Sequence, residues 1–300
     1  MSSVHLYTIS TLPPVEFPKA LLEIPQPPGK LFVVGELPDP SEYYYLSVVG
    51  SRKYTSYGRE TCERIIQGLA GYPICIVSGL ALGIDGIAHR AALDAGLRTV
   101  AVPGSGLAPS VIYPRAHLGL AKEIVENGGA LLSEYESDFH ATPWSFPQRN
   151  RIMAGLSQGV LIIEAEEKSG TLITARMALD YNRNVFTVPG PIFSATSKGT
   201  NNLLRQGATP ITCAKDLLEE IGFVEQSFRE SADSGLGPSL DLTLFSPEEQ
   251  ALLILLDEPR EREELLASLD TPPAQTLSLL TILEIKGIIQ ERLGKIERVK

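Results

Sequence analysis

Three short segments bring together residue types able to hold an anion. Val48-Val49-Gly50-Ser51-Arg52 ends an apolar run and precedes a helical pattern. Gly50 would let the backbone approach an anion, Ser51 adds a hydroxyl donor, and Arg52 supplies a guanidinium fork suited to phosphate oxygens. Ser169-Gly170-Thr171 opens another helical pattern, where free N–H groups favour a phosphate but where Ser and Thr are also ordinary caps. Arg149-Asn150-Arg151 follows Pro143-Trp144-Ser145-Phe146-Pro147, which reads as an exposed loop holding the single tryptophan. Aromatic rings beside arginines suit a single strand of nucleic acid, whose bases stack while guanidinium groups hold its phosphates. The same aromatics, followed by proline, equally suit a core anchor. Arg115, in Tyr113-Pro114-Arg115, is a further loop cation.

Other chemistries find less support. The loop Ser78-Gly79-Leu80-Ala81-Leu82-Gly83-Ile84-Asp85-Gly86 is glycine-rich, but its spacing is not G-x-G-x-x-G. Asp85 and His89, four apart on one helix face, lack the further ligands zinc requires and read as a packing contact. Glu164, Glu166 and Glu167 offer a general base near a strand end, yet three acids in a charged loop are ordinarily just solvated. No nucleophile elbow or P-loop is present, and no cofactor is implied. An activity on nucleoside phosphates stays open as the alternative to binding.

The chain has 300 residues, with 26 Lys+Arg against 36 Asp+Glu and a formal charge of -10. That balance excludes a generic basic coat, so any anionic partner needs a local patch. The stretch Ala141 to Pro210 carries seven cations against four acids, a net +3 that reads as a phosphate track. Three cysteines without a C-x-x-C support neither a disulfide framework nor a cysteine-rich zinc site, and suggest a reducing compartment. No apolar run approaches the ~18 residues of a membrane helix, and Met1 to Ser10 has no signal-peptide pattern. A soluble, cytoplasmic protein is expected.

These segments need a scaffold, and the hydrophobic pattern supplies one. Apolar runs at Leu31 to Val34, Leu46 to Val49, Ile74 to Val77, Thr99 to Val102, Ala130 to Leu132, Val160 to Ile163 and Val185 to Val188 alternate with helical periods. The pattern predicts an α/β domain, a doubly wound and mostly parallel sheet over 31–223. Ligands of such sheets bind beyond the C-terminal strand ends. Residues 1–30, rich in proline, read as an extended arm with at most a short helical turn around Lys19 to Glu23. Residues 224–242, polar and rich in Ser and Gly, read as a linker. Residues 243–300 read as three short helices and a hairpin, the order of a winged helix, and Asp241 to Lys300 sums to -5.

In sequence order, several motifs resemble those of the DprA/Smf DNA-processing proteins of bacterial transformation. They are Val49-Gly50-Ser51-Arg52, Ser78-Gly79-Leu80-Ala81 with Gly83-Ile84-Asp85 and Ala88-His89, Tyr113-Pro114, Leu132-Ser133-Glu134, Phe146-Pro147 with Arg149-Asn150-Arg151-Ile152, Ser169-Gly170-Thr171-Leu172, Val188-Pro189-Gly190 and Gly199-Thr200-Asn201. The resemblance spans about residues 15 to 223. It implies an extended Rossmann fold that binds single-stranded DNA, dimerises, helps load the RecA recombinase and requires no catalysis. By position, Gly50, Ser51 and Arg52 would form the phosphate pocket, Arg115 would contact the backbone, Phe146 would stack a base, and Ser169, Gly170 and Thr171 would line the same groove. Many members begin with a helical SAM-like domain, whereas a proline-rich arm precedes the sheet here. The acidity of the last segment argues against duplex binding.

Overall fold

Each of the seven apolar runs becomes a strand in a computed structural model of the chain, which describes residues 7–223 and 246–298 apart from 257–259, 269–271, 286–287 and 293–294. The chain divides into two units, Met1–Glu225 and Gln226–Lys300. The expected linker, 224–242, lies outside the described residues.

The first unit holds β1 (Ser10–Leu12), α1 (Lys19–Leu22), β2 (Leu31–Gly35), β3 (Tyr44–Val49), α2 (Ser56–Gln67), β4 (Ile74–Ser78), α3 (Ile84–Asp94), β5 (Arg98–Ala101), α4 (Leu118–Glu126), β6 (Ala130–Ser133), α5 (Ser145–Leu156), β7 (Gly159–Ile162), α6 (Thr171–Asp180), β8 (Asn184–Thr187), α7 (Lys198–Arg205), β9 (Thr209–Pro210) and α8 (Ala214–Glu220). They form one nine-stranded sheet in the order β1-β2-β6-β5-β4-β3-β7-β8-β9. From β6 to β9 all neighbours are parallel. Strands β3 to β6 build outward in one direction, and β7 then returns to the other side of β3, so the topological switch lies between β3 and β7. The central strands are buried throughout, as strands covered by helices on both faces must be. One cluster, around Val49, Val77 and Ile162, packs with α5 and α6; another, around Leu46, Ile76 and Leu161, packs with α2 and α3.

Three features depart from the sequence expectation. Strand β2 runs antiparallel to β6. Residues 36–43 contain no helix, so β3 starts at the end of the sheet where β2 finishes and the two run in opposite directions, whereas a parallel course needs a long crossover. The proline-rich segment is not a free arm. Thr11 pairs with Phe32, and Phe17, Leu21 and Ile24 are buried in the main core. Its prolines rule out long helices, and the short turn expected around Lys19 to Glu23 is α1, but they do not exclude the three-residue edge strand β1. Finally, Ser145 to Pro147, read as part of an exposed loop, opens helix α5. Pro147 falls in its first turn, where a missing N–H costs nothing. Ser145 Oγ accepts from the Thr142 N–H (3.1 Å) and donates to the Gly104 carbonyl (2.6 Å), fixing where the helix begins.

The second unit contains α9 (Pro247–Leu255), β10 (Arg260–Glu261), α10 (Arg262–Ser268), α11 (Pro273–Ile285), β11 (Ile289–Arg292) and β12 (Lys295–Arg298). Its sheet has the order β10-β12-β11, antiparallel throughout. Leu252, Leu253, Leu265, Leu280, Leu283 and Ile296 are among the residues of its own small core. Ser246 and Glu249 close a capping box at the start of α9.

Candidate functional site

A cleft of about 620 Å³ opens at the switch point, where the C-terminal ends of β3 and β7 diverge toward helices on opposite faces. Four segments line it: Val49 to Lys53 after β3, Ala81 and Asp85 around the start of α3, the first turns of α5, and Glu166 with Ser169 to Thr171 leading into α6. Arg52 and Lys53 are exposed at its rim. The Arg52 guanidinium lies over the Phe146 ring, 5.0 Å from its centroid, and Tyr113 meets that ring from another side at 5.6 Å and a tilt of 49°. A half-buried aromatic and an exposed cation thus share one surface, the combination that accepts a base and its phosphate together.

The cleft is held open by groups that do not contact solvent. Arg149 is 4% exposed, and its guanidinium donates to the Val102 carbonyl. Gly79 makes this possible, because a Cβ there would collide with the guanidinium. Burial lowers the pKa of Arg149 to about 10, so it keeps its charge at neutral pH, and Asp85 is the carboxylate that compensates it. Asp85 itself is buried and titrates above the usual carboxylate range, desolvation outweighing the Arg149 attraction. Beneath it, His89 is buried, with Nδ1 2.7 Å from Thr99 Oγ1. Thr99 donates to the Ile76 carbonyl (2.8 Å), so its oxygen accepts from His89 Nδ1–H, and Nε2 has no partner. Desolvation lowers this imidazole to about 3.

Of the candidate residues, Gly50, Ser51, Arg52, Phe146, Arg149, Asn150, Ser169, Gly170 and Thr171 converge on the cleft. Arg115 and Arg151 do not line it. Arg115 is exposed and donates to the Pro109 carbonyl. Arg151 is buried in an ion pair with Glu134, which corrects its reading as a phosphate clamp: from Arg151 to Leu156 every residue of α5 is buried, so this position meets protein and not solvent. Arg149 is likewise a floor residue and not an exposed hand. Gly50 is required by packing, since a Cβ would lie 2.7 Å from Ile84, and its carbonyl accepts from Thr171 Oγ1 (3.1 Å). Gly170 begins α6 in helical geometry with open space around it, so nothing there demands glycine.

Glu164, the candidate general base, is fully engaged. Its two oxygens accept from Thr55 N–H (2.9 Å), Thr55 Oγ1 (2.6 Å) and Thr196 Oγ1 (3.0 Å). It therefore ties the start of α2 to the segment after β8. Sequence reading missed Lys53 at the rim, although it directly follows Arg52, and took Glu166, which also lines the cleft, for a solvated acid. Among the described residues no group of His, Cys, Asp and Glu is arranged to hold a metal, and no helix is long and apolar enough to cross a membrane.

A family model described as DNA recombination-mediator protein A matches residues 8–222. Protein Smf of Escherichia coli is 45% identical over 207 residues, covering 69% of this chain and 54% of that protein. The alignment thus spans about half the length of that relative. DNA processing protein DprA of Bacillus subtilis is 40% identical over 215 residues, covering 71% of each. Among solved structures, DprA from Streptococcus pneumoniae superposes with a TM-score of 0.67 at 40% identity, covering 73% of this chain and 76% of that one. DNA processing protein A from Helicobacter pylori, studied for its single-stranded DNA binding mode, gives 0.65 at 34% identity, covering 72% and 96%.

Proposed function

This chain belongs to the DNA recombination-mediator protein A family, and we propose that it binds single-stranded DNA in the switch-point cleft and acts as a recombination mediator during transformation. The observation that carries this reading is the Arg52–Phe146 pair at 5.0 Å on the cleft wall. Stacking tolerates any base, and an adjacent guanidinium holds the backbone, so the pair serves a strand without sequence preference. The relative whose single-stranded DNA binding was studied supports the same ligand.

The protein acts by binding and not by bond chemistry in this reading, which the engagement of all Glu164 contacts by Thr55 and Thr196 supports. It works in the cytoplasm as a homodimer and helps load RecA, as the family resemblance implies. The second unit serves as a winged helix, supported by its three helices followed by a strand pair. With a net charge of -5 from Asp241 to Lys300, it contacts protein in preference to duplex. The test is titration with a single strand and with a duplex at one fixed salt concentration. Preference for the single strand, lost together with Arg52→Ala, is the expected result; equal binding of both, or binding indifferent to Arg52→Ala, overturns the reading. Release of free base from nucleoside monophosphates would instead establish the nucleotide-processing alternative.

A further inference from the structure

The segment between β8 and α7 has a tied stem and an untied tip. At the stem, the Pro189 carbonyl accepts from the Tyr57 hydroxyl (2.7 Å), and Asn201 engages Gly190 through both Oδ1 (3.3 Å) and Nδ2 (3.0 Å). Further along, the Thr196 carbonyl accepts from Ala165 N–H (2.8 Å), and Thr196 Oγ1 reaches Glu164. Between these anchors Ile192 is 76% and Phe193 94% exposed. Two adjacent large apolar side chains on a stem pinned this firmly present a surface to something.

Position and charge indicate what that something is. The segment leaves the C-terminal end of β8, the same edge of the parallel sheet from which Gly50 to Lys53 leave β3. Strands β3 and β8 are separated only by β7, so the two exits lie about 10 Å apart, two strand spacings. Tyr57, itself exposed, stands at the start of α2 and reaches across to the Pro189 carbonyl, linking the two. Residues 181–215 contain Arg183, Lys198, Arg205 and Lys215 and no Asp or Glu, in a chain whose net charge is -10. Lys198 is exposed and joins no ion pair among the described residues. An exposed ring within five residues of a free cation, on an acid-free stretch, repeats the composition of the Arg52–Phe146 wall.

We propose that Phe193 is a second base-stacking station, with Lys198 holding the adjoining phosphate, on which a single strand continues after leaving the cleft. This rests on the reading of the cleft as a single-strand site. A dinucleotide would occupy the cleft alone, and a longer strand would span both stations, so the effect shows as a dependence on length.

The experiment compares oligothymidylates of about two and about twenty nucleotides, one below and one above the site sizes of single-strand binders, on the full chain. In the wild type the longer strand binds more tightly. In Phe193→Ser that gain shrinks by about fivefold or more, the low end for one stacked base. Lys198→Ala lowers the salt slope for the longer strand by about 0.7, one phosphate's worth. A Trp144→Phe/Phe193→Trp variant reports contact directly, with indole fluorescence quenched by the longer strand. An unchanged length dependence and an unquenched indole overturn the second station while leaving the cleft intact. Absence of single-strand binding in the wild type overturns the cleft reading instead. If Phe193→Ser alters the mass in light scattering and binding falls only with it, the tip is a contact between copies and the proposal fails.

Discussion

Replacing Phe146 by alanine separates stacking from charge at the cleft. The ring is half-buried, sits beneath Arg52 at 5.0 Å and beside Tyr113 at 5.6 Å, and neutralises no phosphate. Its removal should cost about 1–3 kcal/mol of single-strand affinity, the range for one stacked base, or roughly 5- to 150-fold in Kd. Arg52→Ala should cost affinity by another route, flattening the dependence of log K on log salt by about 0.7 for its one phosphate. Phe146→Ala should leave that slope unchanged. The two substitutions are also coupled, because each removes the partner of a cation–π contact worth about 0.5–1 kcal/mol at an exposed site. In a double-mutant cycle of binding the combined loss should therefore differ from the sum by up to that amount, according to how far a bound base displaces the guanidinium from the ring. Fluorescence anisotropy with a labelled oligothymidylate at four salt concentrations measures all three quantities. A Phe146→Ala slope that falls as far as that of Arg52→Ala, or a loss smaller than about 0.5 kcal/mol, would refute the division of labour.

Three further outcomes follow from the groups beneath and beside the cleft. His89 has a folded pKa near 3 against about 6.5 unfolded, so the unfolded chain binds the extra proton and stability is lost as pH falls below 6.5. Between pH 7.5 and pH 5 this amounts to about 2 kcal/mol, which urea unfolding should detect in the wild type and find reduced in His89→Gln. Arg149→Met leaves the Asp85 carboxylate buried without its countercharge and should destabilise the fold by about 3–5 kcal/mol, with Asp85→Asn restoring much of it in the double variant; additive losses would show that the pair does not interact. Gly83 has φ +89° and packs its α-carbon against the Ser51 carbonyl, so Gly83→Ala should lower stability by about 1–3 kcal/mol and disorder the Arg52 loop, whereas unchanged urea and oligonucleotide titrations would show that the loop tolerates a Cβ.

The sheet was legible because its strands are buried on both faces and so read as uninterrupted apolar runs, and the crossover helices between them carry clear stops such as Gly96. The cleft was legible from the strand-end rule, which places Arg52 and Thr171 on one switch point without any knowledge of contacts. What could not be read was direction. Helix α5 has prolines before and within its first turn, which mimic a loop, and its two arginines, two apart and so on opposite sides of the helix, are both buried because protein packs around it. Strand β1 has three residues, too few for an alternating pattern to declare itself, and its existence depends on the β2 edge it pairs with. Glu164 is acidic in a charged stretch by sequence, and only the arrival of Thr55 and Thr196 from distant elements makes it a buried tie.

Charge sums mislead for the same reason. The +3 of Ala141 to Pro210 counts Arg149 in the floor, Arg151 paired with Glu134, and Arg183, which donates to the Ala20 and Gly155 carbonyls. Three of its seven cations thus serve the fold. The cations that reach the cleft rim are Arg52 and Lys53, outside that stretch, and Glu166 opposes them. A site built this way has little long-range attraction and must draw its affinity from contact, chiefly from ring surface. An acidic protein can therefore hold a single strand provided its binding energy lies more in Phe146 than in the summed field of its surface. The acidity that remains elsewhere then works for selectivity, because a rigid duplex would have to lay its phosphates across surface outside the cleft, whereas a flexible strand can enter it.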